Sequence, residues 1–195
     1  MKSKDIKYVL NIAMRLTVIV AVVVAMLATV NAVTKDRIAE NNAASRNAAC
    51  GELIEGAEFE SIDISALNVD YSEITNFDKN SVAVWRGTKN GELAGWCVEV
   101  TGKGYSSDGI GLIVGISADG QTVLGVRCVS SSETSGIGSK VVSDDYLSNF
   151  ADRASSEVAS VDAVSGATRT SRGVKDGIKA AVACVKAITE QEGGR

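Results

Sequence analysis

The chain has 195 residues, enough for one domain plus an anchor, and its mean hydropathy of +0.11 is high for a domain lying wholly in water. It contains no histidine and no proline, which excludes histidine-based catalysis and histidine-ligated metal sites. Of the net charge of −4, residues 1–33 carry +3 (Lys2, Lys4, Lys7 and Arg15 against Asp5) and the remainder −7, so the domain is acidic and argues against nucleic acid as a partner.

Leu16 to Val33 is apolar except for Thr17, Thr29 and Asn31. That run sits at the lower edge of what spans a bilayer, and Ile12-Ala13-Met14 extend it if Arg15 snorkels. We expect a transmembrane helix over 12–33. Positive charge before it places residues 1–11 in the cytoplasm and the rest outside. A cleaved signal peptide is the rival, because Val30-Asn31-Ala32 has small residues at the spacing of a cleavage site. The apolar run exceeds the usual signal core, and both readings export the domain. Residues 34–49 are polar and alanine-rich with no helix breaker, and read as a helical stalk. The core domain is expected over 50–195.

Residues 53–80 mix short apolar runs with acids and yield only a coarse reading. Val82-Ala83-Val84-Trp85, the Asn90-Gly91 turn and Ala94 to Val100 read as a hairpin. Gly109 to Ile116 and Thr122 to Val129 flank Asp119-Gly120, a second hairpin. Gly102-Lys103-Gly104-Tyr105 lies between them as a loop, and no complete phosphate-loop or dinucleotide pattern is present. Residues 133–140, from Glu133-Thr134-Ser135-Gly136 to Lys140, read as a Gly/Ser turn. Residues 144–160 read as a short helix packed on the sheet.

The segment Asp162-Ala163-Val164-Ser165-Gly166-Ala167-Thr168 runs into a helical pattern. Val174, Ile178, Val182, Val185 and Ile188 recur at spacings of three and four, forming one apolar face. Thr170 or Ser171 is the expected N-cap, which puts the Thr168 hydroxyl just before the helix N-terminus, where free amides favour a phosphate. On the residues alone, an ordinary capped helix behind a small-residue turn is the competing reading. The four cysteines at 50, 97, 128 and 184 contain no CxxC pair, which disfavours zinc and iron–sulfur sites. Cys97 and Cys128 can pair if their strands are neighbours. Buried small hydrophobes are the preferred reading.

Asp162-x-x-Ser165-Gly166-Ala167-Thr168 resembles the flavinylation signature of the FMN-binding domain family, which includes flavin-bearing subunits of the Rnf electron-transport complex and of the sodium-translocating NADH:quinone reductase. The glycine-tyrosine loop and Glu133-Thr134-Ser135-Gly136-Ile137-Gly138 follow the family's order. The second resembles its Glu-Thr-Pro-Gly-Leu-Gly segment, with Ser135 for the proline. The resemblance implies an α+β fold, a mainly antiparallel sheet flanked by helices behind the single membrane helix. It implies FMN joined by a phosphoester bond to Thr168, with Ser165, Gly166 and Ala167 along the phosphate and Lys140 or Lys103 offsetting its charge. Glu133, Thr134 and Gly136 would lie against the flavin, and Gly104 with Tyr105, or Trp96, beside the ring. For each side chain, surface or core duty is the competing role. Asp162 is read by the flavin transferase or caps the turn.

No general base or nucleophile pair stands out, so no independent active site is expected. The implied role is an electron-carrier subunit of a membrane-bound, ion-translocating ferredoxin:NAD oxidoreductase complex in a bacterial inner membrane. Its partners would be the other subunits and the transferase. The equivalent part of the quinone reductase shares fold and cofactor, and is usually longer. An exported binding module without flavin and a free-standing flavoprotein reductase are the remaining alternatives.

Overall fold

The computed structural model describes residues 3–193. Lys2, the side chains of Lys4, Asp5 and Lys7, and the terminal Gly194 and Arg195 lie outside the described residues. The chain divides into two compact units, residues 1–44 and 45–195.

The described part of the first unit is entirely helical, the opening of helix α1 (Ser3–Leu53). It is the one helix among the described residues long and apolar enough to cross a membrane. Its polar interruptions are satisfied locally. The hydroxyls of Thr17, Thr29 and Thr34 donate to the carbonyls of Ala13, Ala25 and Val30 at 2.8–2.9 Å, one turn back. This removes the cost of an unpaired polar group in hydrocarbon.

The second unit is built on six antiparallel strands in strictly sequential order. They are β1 (Glu58–Ile62), β2 (Phe77–Lys89), β3 (Glu92–Gly102), β4 (Ile110–Ser117), β5 (Thr122–Ser131) and the short β6 (Arg153–Ala154). Both expected hairpins form. Asn90 and Gly91 take φ of 55° and 83° between the paired Lys89 and Glu92, the left-handed conformation that a two-residue hairpin turn needs. The β4–β5 turn is tied by Asp119 Oδ1, which accepts from Ser117 Oγ and the Gln121 amide. Those two bonds hold its carboxyl below the usual 3.8.

Strand alternation separates two faces. Trp96, Val98 and Val100 of β3 and Leu112, Val114 and Ile116 of β4 point into the main core. Helix α3 (Thr168–Gly193) covers them with Val174, Ile178, Val182, Val185 and Ile188, all buried as their periodicity predicts. Close approach of helix and strand requires glycine at the crossing: a Cβ on Gly173 would stand 2.5 Å from the Lys103 carbonyl oxygen. On the opposite face, Ala49 and Cys50 of α1 pack with Cys97 and Ile113.

One coarse reading gains detail and three others need correction. Residues 53–80 contain β1, an edge strand whose alternate exposed acids mask its pattern. Residues 144–160 form not one helix but α2 (Asp144–Leu147), a one-turn and a two-turn 3₁₀ segment and β6. Cys97 bonds to Cys50, and Cys128 is free. Cys97 on β3 and Cys128 on β5 have β4 between them, a separation of roughly 10 Å that no disulfide bridges. Helix α3 begins at Thr168, so neither Thr170 nor Ser171 is its N-cap, because both hydroxyls are committed elsewhere.

Candidate functional site

Three segments far apart in sequence meet at Glu133. Its Oε1 accepts from the amides of Tyr105 and Ser106, both at 2.9 Å. Its Oε2 accepts from the Thr170 hydroxyl at 2.7 Å. One carboxylate thereby ties the loop after β3, the loop after β5 and the first turn of α3 into one wall. The neighbouring glycines are there to let it in. A Cβ on Gly104 would overlap Oε1, and one on Gly138 would stand 2.5 Å from Oε2. Glu133 is therefore framework as well as cavity lining, while Gly104 is framework alone.

The 133–140 loop is a tight turn. The Ile137 amide donates to the Thr134 carbonyl at 3.2 Å, and Gly136, third of the four residues, has φ +78°. Ser135 has no positive φ, so this is a type II turn. The Gly136 amide donates to Ser139 Oγ at 2.8 Å.

Between these segments lies a cavity of about 290 Å³, bounded by Tyr105, Thr134, Ile137, Ala167 and Arg169. Its size is near the lower end of small-molecule sites, roughly 300–1,000 Å³. Tyr105 and Ile137 at its edge are 74% and 51% exposed, two large apolar side chains in water with no protein group over them. Gly166 on its wall has φ +80°, and a Cβ built there or on Gly136 meets nothing within 4 Å. Bare backbone and uncovered apolar side chains around one opening suit a flat aromatic ring. Trp96 does not contribute, because it is fully buried in the core with its indole N–H on the Ala118 carbonyl.

The hydroxyls of residues 165–171 divide sharply. Thr170 is 2% exposed and bonded to Glu133. Ser171 Oγ donates to the Ala167 carbonyl and accepts from the Val164 amide. Thr168 and Ser165 are exposed, and neither hydroxyl has a partner among the described residues. Thr168 opens onto a second cleft of about 460 Å³, shared with Arg172, Lys175 and Lys179. Lys103 and Lys140 are exposed and line neither cavity, so the cations beside Thr168 are ones the sequence reading missed. Their signal was the spacing 168, 172, 175, 179 along one helix face. The Asp162 side chain is exposed and accepts no hydrogen bond among the described residues; only its main-chain carbonyl is used, by the Tyr146 hydroxyl at 3.0 Å. It does not cap the turn.

A family model described as the FMN-binding domain matches residues 104–183, and one described as the RnfG N-terminal region matches residues 1–53. The chain is 30% identical over 194 residues to the G subunit of the Na(+)-translocating ferredoxin:NAD(+) oxidoreductase complex of Acetobacterium woodii, covering 91% of this chain and 92% of that one. It is 29% identical to the G subunit of the ion-translocating oxidoreductase complex of Methanosarcina acetivorans, covering 97% and 99%. It is also 29% identical to the G subunit of the proton-translocating ferredoxin:NAD(+) oxidoreductase complex of Clostridium ljungdahlii, covering 66% and 74%. Among solved structures, Shewanella oneidensis NqrC matches with a TM-score of 0.51 at 20% identity, covering 71% of this chain and 85% of that one.

Proposed function

The chain belongs to the RnfG family, the G subunits of ion-translocating oxidoreductase complexes, and on that premise we propose that it relays electrons through an FMN esterified to Thr168. It is a redox subunit of a ferredoxin:NAD oxidoreductase complex, and its domain binds FMN. The extent of the match to RnfG relatives favours this complex over the quinone reductase, since the likeness to NqrC is one of fold.

The observation that carries the attachment point is the state of the hydroxyls on α3. Thr168 is exposed and unpartnered among the described residues, whereas Thr170 and Ser171 are bonded within the protein. A phosphoester at Thr168 replaces only that hydroxyl's proton and breaks no existing contact. The first turn of α3 adds free amides and a favourable dipole. FMN supplies one- and two-electron chemistry. The residues here supply position. Tyr105 and Ile137 cover the ring, Gly166 lets it lie against backbone, and Gly136 shapes the turn that carries Ile137. Thr134 and Ala167 close the wall, and Glu133 holds the three segments in register. Ser165, Lys140 and Asp162 remain at the surface, where Asp162 is available to the flavin transferase.

The remaining organisation follows from the chain's own chemistry. Residues 1–11 lie in the cytoplasm, 12–33 span the bacterial inner membrane, 34–49 form a stalk and 50–195 work outside the cell membrane. The anchor holds the carrier near the other subunits and raises its effective concentration there.

The test is intact mass with in-gel flavin fluorescence on denatured protein co-expressed with a flavin transferase. The expected gain is one FMN less one water on the peptide containing Thr168. Thr168→Ala abolishes it and Thr168→Ser retains it. Covalent flavin in Thr168→Ala refutes the assignment.

A further inference from the structure

We propose that Arg172, backed by Lys179, is the counter-charge that seats the phosphoryl group on Thr168, an inference that rests on the attachment reading above. Thr168, Arg172, Lys175 and Lys179 follow one another at spacings of four, three and four on α3 and all face one cleft of about 460 Å³. Helical side chains lean toward the N-terminus, so Arg172 reaches back over the turn that presents Thr168.

The other charged groups of the cleft divide by whether they are already committed. Lys175 Nζ donates to the carbonyls of Ala159 and Val161, at 3.4 and 3.0 Å. Asp176, 8% exposed, accepts from the amide and side-chain nitrogen of Asn76, at 3.1 and 2.8 Å. Glu73 is an exposed acid at the rim. Arg172 and Lys179 hold no hydrogen bond or ion pair among the described residues. Three cations against two carboxylates leave the cleft with one positive charge, which matches the single negative charge of a phosphodiester. A guanidinium meets two phosphate oxygens at once, which fixes orientation as well as charge.

The experiment follows initial rates of flavin attachment by intact mass, in full-length protein supplied with transferase and the flavin donor, for the wild type, Arg172→Lys, Arg172→Gln, Arg172→Glu and Lys140→Gln. We expect Arg172→Gln to slow attachment about tenfold and Arg172→Glu about a hundredfold, with Arg172→Lys within about threefold of wild type. Lys140→Gln is expected to be unchanged. Added salt should slow the wild type and leave Arg172→Gln nearly flat. The phosphorus NMR resonance of loaded protein should shift in Arg172→Gln and not in Lys140→Gln. Equal rates across all five proteins, with flavin on Thr168, overturn this inference and leave the attachment reading standing. Equal slowing of all three Arg172 variants with a lowered melting temperature assigns Arg172 a packing role and overturns it too. Flavin on another residue in the wild type overturns both readings.

Discussion

Glu133→Ala removes the acceptor that joins three segments, and its cost can be worked from the bonds it breaks. The amides of exposed Tyr105 and half-buried Ser106 turn to water. The Thr170 hydroxyl, in a residue only 2% exposed, has no such recourse. A stranded buried donor costs about 1–3 kcal/mol, and losing a charged acceptor for the two amides brings the total to about 2–4 kcal/mol. For a domain of this size that lowers Tm by about 4–16 °C. Glu133→Gln keeps one oxygen for the two amides and offers an N–H that the Thr170 hydroxyl can accept, so its loss stays under about 1 kcal/mol. Thermal unfolding of the full chain in detergent, followed by circular dichroism, measures both. Hydrogen exchange at Tyr105 and Ser106 reports the local opening. Glu133→Ala melting with the wild type, or Glu133→Gln as damaging as Glu133→Ala, refutes the reasoning.

Other perturbations are equally specific. Ser135→Pro places proline at the second position of a type II turn, where no described hydrogen bond uses the Ser135 amide. It should stabilise by about 0.4–1 kcal/mol, raising Tm by about 1–4 °C in the same melt, and leave flavin attachment intact. Burial raises the thiol pKa values of Cys128 and Cys184, so iodoacetamide at about pH 8 should label both slowly in the native protein and quickly after unfolding. Mass spectrometry should find Cys50 and Cys97 labelled only after reduction. Hydrogen bonds from Ser117 and Gln121 depress Asp119 below 3.8, so its contribution is present above that pH and is lost as pH falls through the lower folded value. The urea midpoint should be flat from about pH 7 to 5 and fall below about pH 4, and Asp119→Asn should shrink that fall.

Much of the scaffold was legible because it rests on local rules. The face of α3 was readable from helical spacing, and the hairpins from Asn90-Gly91 and Asp119-Gly120, where Asn90, Gly91 and Gly120 take the required positive φ. What escaped was set by contacts between distant segments. Strand β1 exists because β2 offers it an edge, not because Glu58–Ile62 insists on extension. Cys50 finds Cys97 through the packing of α1 on the sheet. Glu133 reads as a ligand-facing acid in sequence, and its part as a tie between loops shows only in space. Trp96 looked available for stacking and lies in the core. Arg172 was visible in the spacing from Thr168, yet nothing local said that the helix turns that face toward an open cleft.

The distribution of hydroxyls along residues 165–171 also sets a chronology. In an extended chain Ser165, Thr168, Thr170 and Ser171 are chemically similar alcohols, and a modifying enzyme would meet a choice of four. Folding withdraws Thr170 into the Glu133 bond and Ser171 into the Ala167 bond, which leaves Ser165 on the loop and Thr168 as the open alcohol on the helix. Subtraction would then halve the choice before the enzyme arrives. Under the attachment proposed above, a population modified after folding would carry flavin at Thr168 or Ser165 only, and a population modified early would carry a mixture over all four. Flavin mapped to Thr170 or Ser171 would therefore record how far maturation had outrun folding.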